Sequence, residues 1–196
     1  MRKRLAGALV VMMSLATVGR AEKWEIDKTH SAVGFNVRHM VVAKVPGYFR
    51  DFVGFINFDG QNLETGIVEF TVQMASIDTD NENRDEHLRS ADFFDAAKFP
   101  SAVFKSRKVI KGEGSSFKLV GDLTMKDVTK EVVFECEFNG VVTDPWGNTR
   151  AGFSAQTKIN RQDFNVTYSK KLDTGGLIVG DDVNIMLDIE AVKAKS

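Results

Sequence analysis

The sequence predicts an all-β fold: an eight-stranded antiparallel up-and-down barrel with a short helical segment over one mouth. Apolar and polar residues alternate with a period of two along most of the chain, as in strands that have one apolar face. Short connections indicate hairpin turns at 111–115, 126–129 and 144–148, and the first and last of them contain Gly, Pro or Asn. Closing such a meander into a barrel removes its exposed edges.

The N-terminus has the features of a cleavable signal peptide. Basic residues at 2–4 precede an apolar stretch at 5–18 that is too short to span a bilayer comfortably, and small residues precede a cleavage site after Ala21. An uncleaved anchor or a buried helix is the alternative. We therefore predict a signal peptide over 1–21, a barrel domain over 22–196, and export to the periplasm or beyond the cell.

The charge distribution argues against a nucleic-acid partner. The predicted signal peptide contains four of the 26 basic residues and none of the 27 acidic ones, so the remaining chain is negatively charged. Nucleic-acid binding would need a basic face. No later segment is long and apolar enough for a membrane-spanning helix, so we expect no stable membrane insertion. A homodimer is compatible with this composition.

Nine alternating stretches are candidate strands. The pattern is clearest where Val183, Ile185 and Leu187 alternate with polar residues. Cys136 lies in another such stretch, which indicates a small buried apolar residue. The first two stretches can form one bent strand, which leaves eight strands. The nine stretches are 24–28, 31–39, 48–59, 65–76, 101–111, 116–126, 130–142, 149–160 and 182–193.

One segment interrupts the alternation. Residues 83–97 include helix formers and show no period of two. Asn81 or Asn83 can cap the start of a helix here, and Pro100 prevents its continuation. Because the segment lies between the fourth and fifth strands, we expect one helix or two short ones over one mouth of the barrel.

The inward-facing residues predict a hollow barrel. Strands of about 12 residues, tilted by roughly 40°, give a barrel about 30 Å tall. Many Phe rings point inward, and Ala102, Gly121, Ala151 and Ala155 leave room between them. A packed core is the alternative for each ring, but a tall apolar slot fits a long, thin lipid. The predicted lining residues are Phe35, Val37, Phe49, Phe52, Ile56, Phe70, Phe104, Phe134, Phe153 and Ile185.

A polar cluster lies in the predicted helical segment. Arg84, Asp85 and His87 are close in sequence, and Arg84 and His87 share a helix face. Arg suits a pyrophosphate or carboxylate, and His suits a quinone oxygen or hydroxyl. We predict that the three residues bind a lipid head group; the alternative is a network that fixes the segment to the barrel.

The sequence predicts neither a metal site nor catalytic residues. The spacings of His30, His39 and His87 match no metal motif. Asp27, His30 and Ser31 superficially suggest a hydrolase triad, but no nucleophile elbow is present and Ser31 begins a strand. We therefore expect a protein without enzymatic activity and without a cofactor, apart from a bound lipid.

Nine short motifs, in order over nearly the whole chain after the predicted signal peptide, carry a resemblance to a known family. The strongest is RDEHLRSADFFDA at 84–96. The motifs lie at 24–31, 33–39, 47–54, 76–79, 84–96, 99–106, 121–124, 161–164 and 179–183. Together they resemble the YceI-like family of secreted bacterial proteins.

This resemblance implies a lipocalin-like barrel that binds a polyisoprenoid or a related long-chain lipid, such as an isoprenoid quinone, in the periplasm. Asn165 stands where the family has Gly, and Asn tolerates left-handed backbone angles, so we expect the turn to survive. The sequence of residues 170–180 does not follow the family pattern. The predicted function is thus an exported lipid-binding or carrier protein. The alternatives are an enzyme acting on an isoprenoid quinone or lipid, and a stress-protective adaptor with a filled barrel.

Overall fold

The computed structural model describes residues 21–40, 42–60, 62–170 and 177–195. Within these ranges the chain forms eleven strands and one α-helix, so the predicted all-β fold is confirmed. The predicted signal peptide lies outside the described residues except for Ala21, and it stays a prediction. The helix α1 spans Glu82–Arg89. The strands are β1 (Glu22–Ile26), β2 (Ala32–His39), β3 (Ala43–Phe49), β4 (Phe52–Phe58), β5 (Ile67–Gln73), β6 (Ile77–Asp78), β7 (Ser101–Lys111), β8 (Ser116–Met125), β9 (Val128–Thr143), β10 (Thr149–Asn160) and β11 (Val179–Lys193).

The strands form one closed antiparallel barrel. Turns of 3₁₀ helix at Lys28–His30 and Met74–Ser76 bend the chain between β1 and β2 and between β5 and β6, and a two-residue bend separates β3 from β4. When each such pair is counted as one bent strand, eight strands pair in sequence order, and β1 closes the ring against β11. The predicted number of strands and the predicted N-terminal bent strand are both confirmed. The barrel thus closes within residues 22–193.

Two predicted strand boundaries are wrong. The sequence predicts one strand over 48–59, but β3 starts at Ala43 and the chain bends before β4. Pro46 is typical of a turn, yet it lies opposite Asn36 in the ladder of β2 and β3. Because β6 pairs only with the last two residues of β3, no second strand pairs with Pro46. The backbone N–H that proline lacks is therefore not needed there. The strand predicted over 65–76 similarly ends early, because the chain bends after β5.

The predicted hairpin turns are present. Lys126 and Asp127 join β8 to β9 with positive φ angles of 48° and 59°, the geometry of a type I′ turn that fits hairpin twist. Asp144 Oδ1 accepts a hydrogen bond from the backbone N–H of Asn148 (2.8 Å), which holds the turn between β9 and β10. After β10, Asn165 adopts a left-handed conformation (φ 58°), so the expected survival of that turn is confirmed.

The core lies on the inner face of the barrel. Ala151 and Ala191 pair across β10 and β11, and both are fully buried. Cys136 is a free, buried thiol, as predicted. Burial raises the pKa of this thiol to about 12, so Cys136 is an unreactive apolar group at neutral pH.

At one end of the barrel the interior is filled with aromatic rings. Trp24 and Phe58 are 1% and 0% exposed, and their ring centroids are 5.0 Å apart. The rings of Phe138 and Phe153 lie 6.1 and 5.8 Å from that of Phe58 and 5.2 Å from each other. The turns after β7 and after β9 lie at this end, which we call the aromatic end.

The opposite end is covered by the segment that connects β6 to β7. Helix α1 begins after Asn81, whose side chain accepts a hydrogen bond from Arg84 N (3.0 Å), so one of the two predicted caps is used. The helix is shorter than predicted and ends at Arg89, where turns take over. Lys126 Nζ donates to the carbonyl of Phe93 (2.5 Å), which ties the segment to the turn between β8 and β9. The segment therefore lies over this mouth, as predicted, and we call this the loop end.

Candidate functional site

The barrel encloses an apolar cavity of about 240 Å³. At the aromatic end, Phe58 and Phe153 form part of its wall. At the loop end, Leu88, Phe93 and Phe94 contribute from the segment between β6 and β7. The cavity therefore extends along the barrel axis between the two ends.

Nine of the ten predicted lining residues lie on the wall of this cavity. The exception is Phe52, which is 3% exposed and stacks on the ring of Phe70 with the centroids 5.6 Å apart. Phe52 begins β4 directly after the bend, so its ring fills the core and does not reach the cavity. That any of these residues contacts a ligand stays a prediction. The nine are Phe35, Val37, Phe49, Ile56, Phe70, Phe104, Phe134, Phe153 and Ile185.

The small residues contribute less space than the sequence suggested. Ala102 and Ala155 line the cavity, whereas Ala151 is fully buried in the barrel wall. At Gly121, an added Cβ would lie only 2.6 Å from the ring of Phe104. The room that Gly121 leaves is thus already filled by this ring, and the free space lies elsewhere.

Most of the free space adjoins the wall formed by β2, β5 and β11. Inward-facing residues there, such as Phe35, Phe70 and Ile185, are only half-buried. On the wall formed by β8 and β9, inward-facing residues such as Leu119 and Phe134 are buried. An inward side chain is accessible only where space inside the barrel adjoins it, so the cavity lies closer to β2, β5 and β11.

Arg161 is the one charged side chain among the described residues that line the cavity, and sequence reasoning missed it. It is 4% exposed, and burial lowers the pKa of its guanidinium, although Asp181 opposes this shift. All five N–H groups donate to protein acceptors, so none is left for a ligand. The acceptors are the carbonyls of Val166 (2.6 Å), Tyr168 (2.8 Å), Gly180 (2.9 Å) and Val179 (3.2 Å) and the Oδ1 atom of Asp181 (2.9 Å).

The predicted head-group residues do not reach the cavity. Asp85 is 3% exposed and accepts hydrogen bonds from Thr79 N (3.0 Å) and Thr79 Oγ1 (2.5 Å). Arg84 Nε donates to Thr79 Oγ1 (2.7 Å), and Arg84 Nη2 donates to the carbonyl of Thr79 (2.6 Å). His87 Nε2 lies 2.9 Å from Asp92 Oδ2. These contacts are those of the alternative reading, a network that fixes the segment over the mouth.

A second charged cluster lies on the outer face near the aromatic end, and we call it the Arg150 clamp. Arg150 Nη1 donates to Asp27 Oδ2 (2.8 Å) and to Glu190, and its Nε donates to Asp144 Oδ2 (2.7 Å). His30 Nδ1 lies 2.9 Å from Asp27 Oδ2. The clamp joins β1, β10, β11 and the turn after β9.

Hydrogen bonds shift the pKa values in the clamp. The bond with His30, reinforced by Arg150, holds the pKa of Asp27 at about 2. Burial acts to raise the pKa of Asp144, but hydrogen bonds from Arg150 and Asn148 outweigh it and hold this pKa well below its usual range. Bonds to three carboxylates raise the pKa of the Arg150 guanidinium.

The clamp does not form a catalytic triad. Ser31 Oγ accepts a hydrogen bond from Glu190 N (3.0 Å) and donates to the carbonyl of Glu190 (3.3 Å), so its hydroxyl is used in the ladder and not by His30. Asp27, His30 and Glu190 lie close enough together to hold a cation. Arg150 Nη1 donates to both carboxylates, so in this structure the cluster is an ion-pair network.

None of the helices in the described part of the chain is long and apolar enough to cross a membrane. A closed eight-stranded barrel with an internal apolar cavity and one aromatic end is a hollow barrel of the lipocalin type.

The chain belongs to the YceI-like family, since residues 24–191 match the YceI-like domain. It is 40% identical over 190 residues to UPF0312 protein plu2095 of Photorhabdus laumondii, covering 97% of this chain and 95% of that one. It is also similar to the YCEI protein of Campylobacter jejuni (TM-score 0.71, 34% identity, 81% of this chain and 90% of that one). A polyisoprenoid binding domain from Saccharophagus degradans shares the fold (TM-score 0.66, 12% identity, 87% and 98%).

Proposed function

We propose that the protein binds a long apolar lipid chain inside the barrel, and that it sequesters or carries this lipid. The observation that carries the proposal is the composition of the cavity wall. Its described residues are apolar apart from Arg161, and every N–H of that side chain is already bonded to protein. Such a wall can bind a hydrocarbon by burial but offers no side-chain partner to a buried polar ligand.

The size of the cavity favours a thin guest. Its volume of about 240 Å³ is slightly below the range of about 300–1,000 Å³ that is usual for pockets holding drug-sized ligands. Since this space extends along the barrel axis, a linear chain fits it better than a compact molecule. Burial contributes about 0.8 kcal/mol per CH₂ group, so a few isoprene units would supply the affinity without any charged contact.

An isoprenoid is the lipid class that we favour, either a polyprenyl lipid or an isoprenoid quinone. The support is membership of the YceI-like family and the fold shared with the polyisoprenoid binding domain of Saccharophagus degradans. Because a leader-like sequence precedes the barrel, we place the function in the periplasm or outside the cell.

We favour binding over catalysis. An enzyme acting on an enclosed lipid would need a titratable pair that faces the cavity. The described lining offers only Arg161, whose hydrogen bonds hold the wall together. The cavity also favours a lipid-binding protein over an adaptor with a filled barrel.

A substitution that fills the cavity tests the proposal. Ala155 lines the cavity, and the next residue, Gln156, is exposed on the outer face of the same strand. We expect Ala155→Phe to lower the lipid recovered per protein by about tenfold, which corresponds to about 1.4 kcal/mol, whereas Gln156→Phe leaves it unchanged. The measurement is solvent extraction followed by mass spectrometry, with circular dichroism to verify folding. Folded wild-type protein that reproducibly contains no apolar lipid, or equal lipid in both variants, would contradict the proposal.

A further inference from the structure

Two layers of aromatic rings close the cavity at the aromatic end. Phe58 and Phe153 form the first layer, since both line the cavity and both are buried. Trp24 and Phe138 form the second layer, since they contact these rings but do not line the cavity. We call these four rings the floor of the cavity.

The floor is a firmly packed part of the core. Trp24 Nε1 donates a hydrogen bond to the carbonyl of Phe58 (3.3 Å), which joins β1 to β4 in addition to the strand ladder. A chain could pass the floor only by separating these rings, and close-packed protein interiors resist such expansion. A lipid chain that reaches Phe58 and Phe153 therefore ends there.

Apolar side chains also cover the wall near the aromatic end. The ladder between β5 and β7 stops at the pair of Glu69 and Lys105, although β7 continues beyond it. Leu63 lies in a 3₁₀ turn that contacts β7, and it lines the cavity together with Val109. Both side chains pack against the core, so they cover the cavity where the ladder is missing.

A closed floor limits the length of chain that contributes to binding. Each CH₂ group that enters an apolar cavity raises the affinity about fourfold. A group beyond the length of the cavity stays outside the barrel and contributes nothing to this term. The affinity should therefore rise with chain length and then reach a plateau.

We propose that the floor makes the barrel selective for the length of an apolar chain, and that Phe58 and Phe153 set the limit. The end of the ligand that meets them is apolar, because the one N–H of the four rings, that of Trp24, is bonded to protein. The chain therefore enters tail first and is buried up to the length of the cavity. This inference deepens the proposed lipid-binding function and rests on it.

Binding of a series of chain lengths tests the proposal. We would use the chain from Glu22 onward, since the barrel closes within 22–193, and remove bound lipid on a hydrophobic resin. Linear prenyl alcohols, from geraniol upward, then compete with a fluorescent fatty acid. For the wild type we expect the affinity to rise about tenfold or more with each isoprene unit, and to change less than about twofold per unit once the cavity is full.

Two substitutions should move the start of this plateau in opposite directions. Phe153→Ala removes a ring of the floor, so the rise should continue for about one further isoprene unit. Val68→Phe should end the rise earlier, because Val68 lines the cavity and lies opposite Ile56, two residues before Phe58 on β4. Circular dichroism verifies that each variant is folded, and Val68→Phe decides the question if Phe153→Ala does not fold.

The matched control is Phe134→Ala, which removes the same ring from the side wall, four residues before Phe138 on β9. It should widen the cavity without deepening it, so the plateau should start at the wild-type length. The floor proposal would be overturned by wild-type affinities that rise without a plateau, by equal shifts in the Phe153 and Phe134 variants, or by no shift in Val68→Phe. Each of these results leaves the lipid-binding function standing, whereas binding of no prenyl alcohol at all would contradict both.

Discussion

The aromatic end of the barrel is closed by packing between rings, whereas the loop end combines ring contacts among His87, Phe93 and Tyr168 with side chains that bond to backbone groups. At the aromatic end, Phe58 has no exposed surface and contacts three other rings. At the loop end, Arg161 and Asp85 hold neighbouring turns through hydrogen bonds. Ring packing depends on the whole core being assembled, but a hydrogen-bonded turn can open locally. The difference indicates that the aromatic end is the permanently closed end.

The pairing of the strands also indicates that the loop end is the less firmly closed of the two. In the described residues β6 pairs only with β3, while β7 pairs with β5 up to the pair of Gln73 and Ser101. The wall between β6 and β7 is thus completed by α1 and the turns after it and not by a ladder. Displacing that segment would break few hydrogen bonds between strands, so we expect the lipid to pass at the loop end.

Phe58→Ala should have the largest effect. Removing the central ring leaves a void among Trp24, Phe138 and Phe153, and such truncations cost about 3–5 kcal/mol. The control is Phe55→Ala on the outer face of the same strand, where the ring lies 5.8 Å from Lys23 Nζ; we expect a loss of about 1 kcal/mol or less there. Urea denaturation measures both. Similar losses in the two variants would mean that the ring cluster does not dominate the stability of this end.

Asp85→Ala should have a smaller and more local effect. The substitution leaves the N–H and hydroxyl of Thr79 without their acceptor, which costs about 1–3 kcal/mol. Hydrogen exchange should accelerate in residues 79–96, while amides in β8 and β9 keep their protection. Asp92→Ala, which removes an exposed partner of His87, should cost less than about 1 kcal/mol. If protection fell equally throughout the barrel, the loop end would not be a separate unit of stability.

The sequence predicts the barrel and most of its inner wall because the period of two assigns each strand residue to a face. Alternation alone places Phe35, Phe104 and Ile185 toward the cavity. The prediction from alternation fails where a local signal and the tertiary context conflict. Proline is typical of turns, but Pro46 lies within β3, in a part that pairs with β2 and not with β6.

The polar part of the site was harder to predict for a different reason. An Arg at the end of a strand resembles a surface residue, and nothing in the sequence around Arg161 shows that it is buried. Four of its acceptors are backbone carbonyls up to 19 residues away and the fifth is the side chain of Asp181, and only the folded chain brings them together. Conversely, Arg84 and His87 form a conspicuous polar cluster, but the bonds described for them are made with nearby protein groups and not with the cavity.

Acidification tests the outer side of the aromatic end, where we expect the smallest effect. The pKa of Asp27 is lowered from 3.8 to about 2 in the folded protein, chiefly by the hydrogen bond with His30. A carboxylate with a lowered folded-state pKa stabilises the fold above its unfolded pKa, and this contribution is lost as the pH falls from about 4 to about 2. Asp27→Asn should therefore be less stable at neutral pH, but should lose less of its remaining stability over that acid range.

The measurement is the midpoint of urea denaturation as a function of pH, with Asp182→Asn as the control, since Asp182 forms an exposed pair with Lys158. If Asp27→Asn kept the full acid sensitivity of the wild type, other carboxylates would have to account for it. If Asp27→Asn lowered the free energy of unfolding at neutral pH as much as Phe58→Ala does, the Arg150 clamp, and not ring packing, would be the main closure of the aromatic end. The two ends would then differ in another way, with ion pairs closing the aromatic end and hydrogen bonds to the backbone holding the loop end.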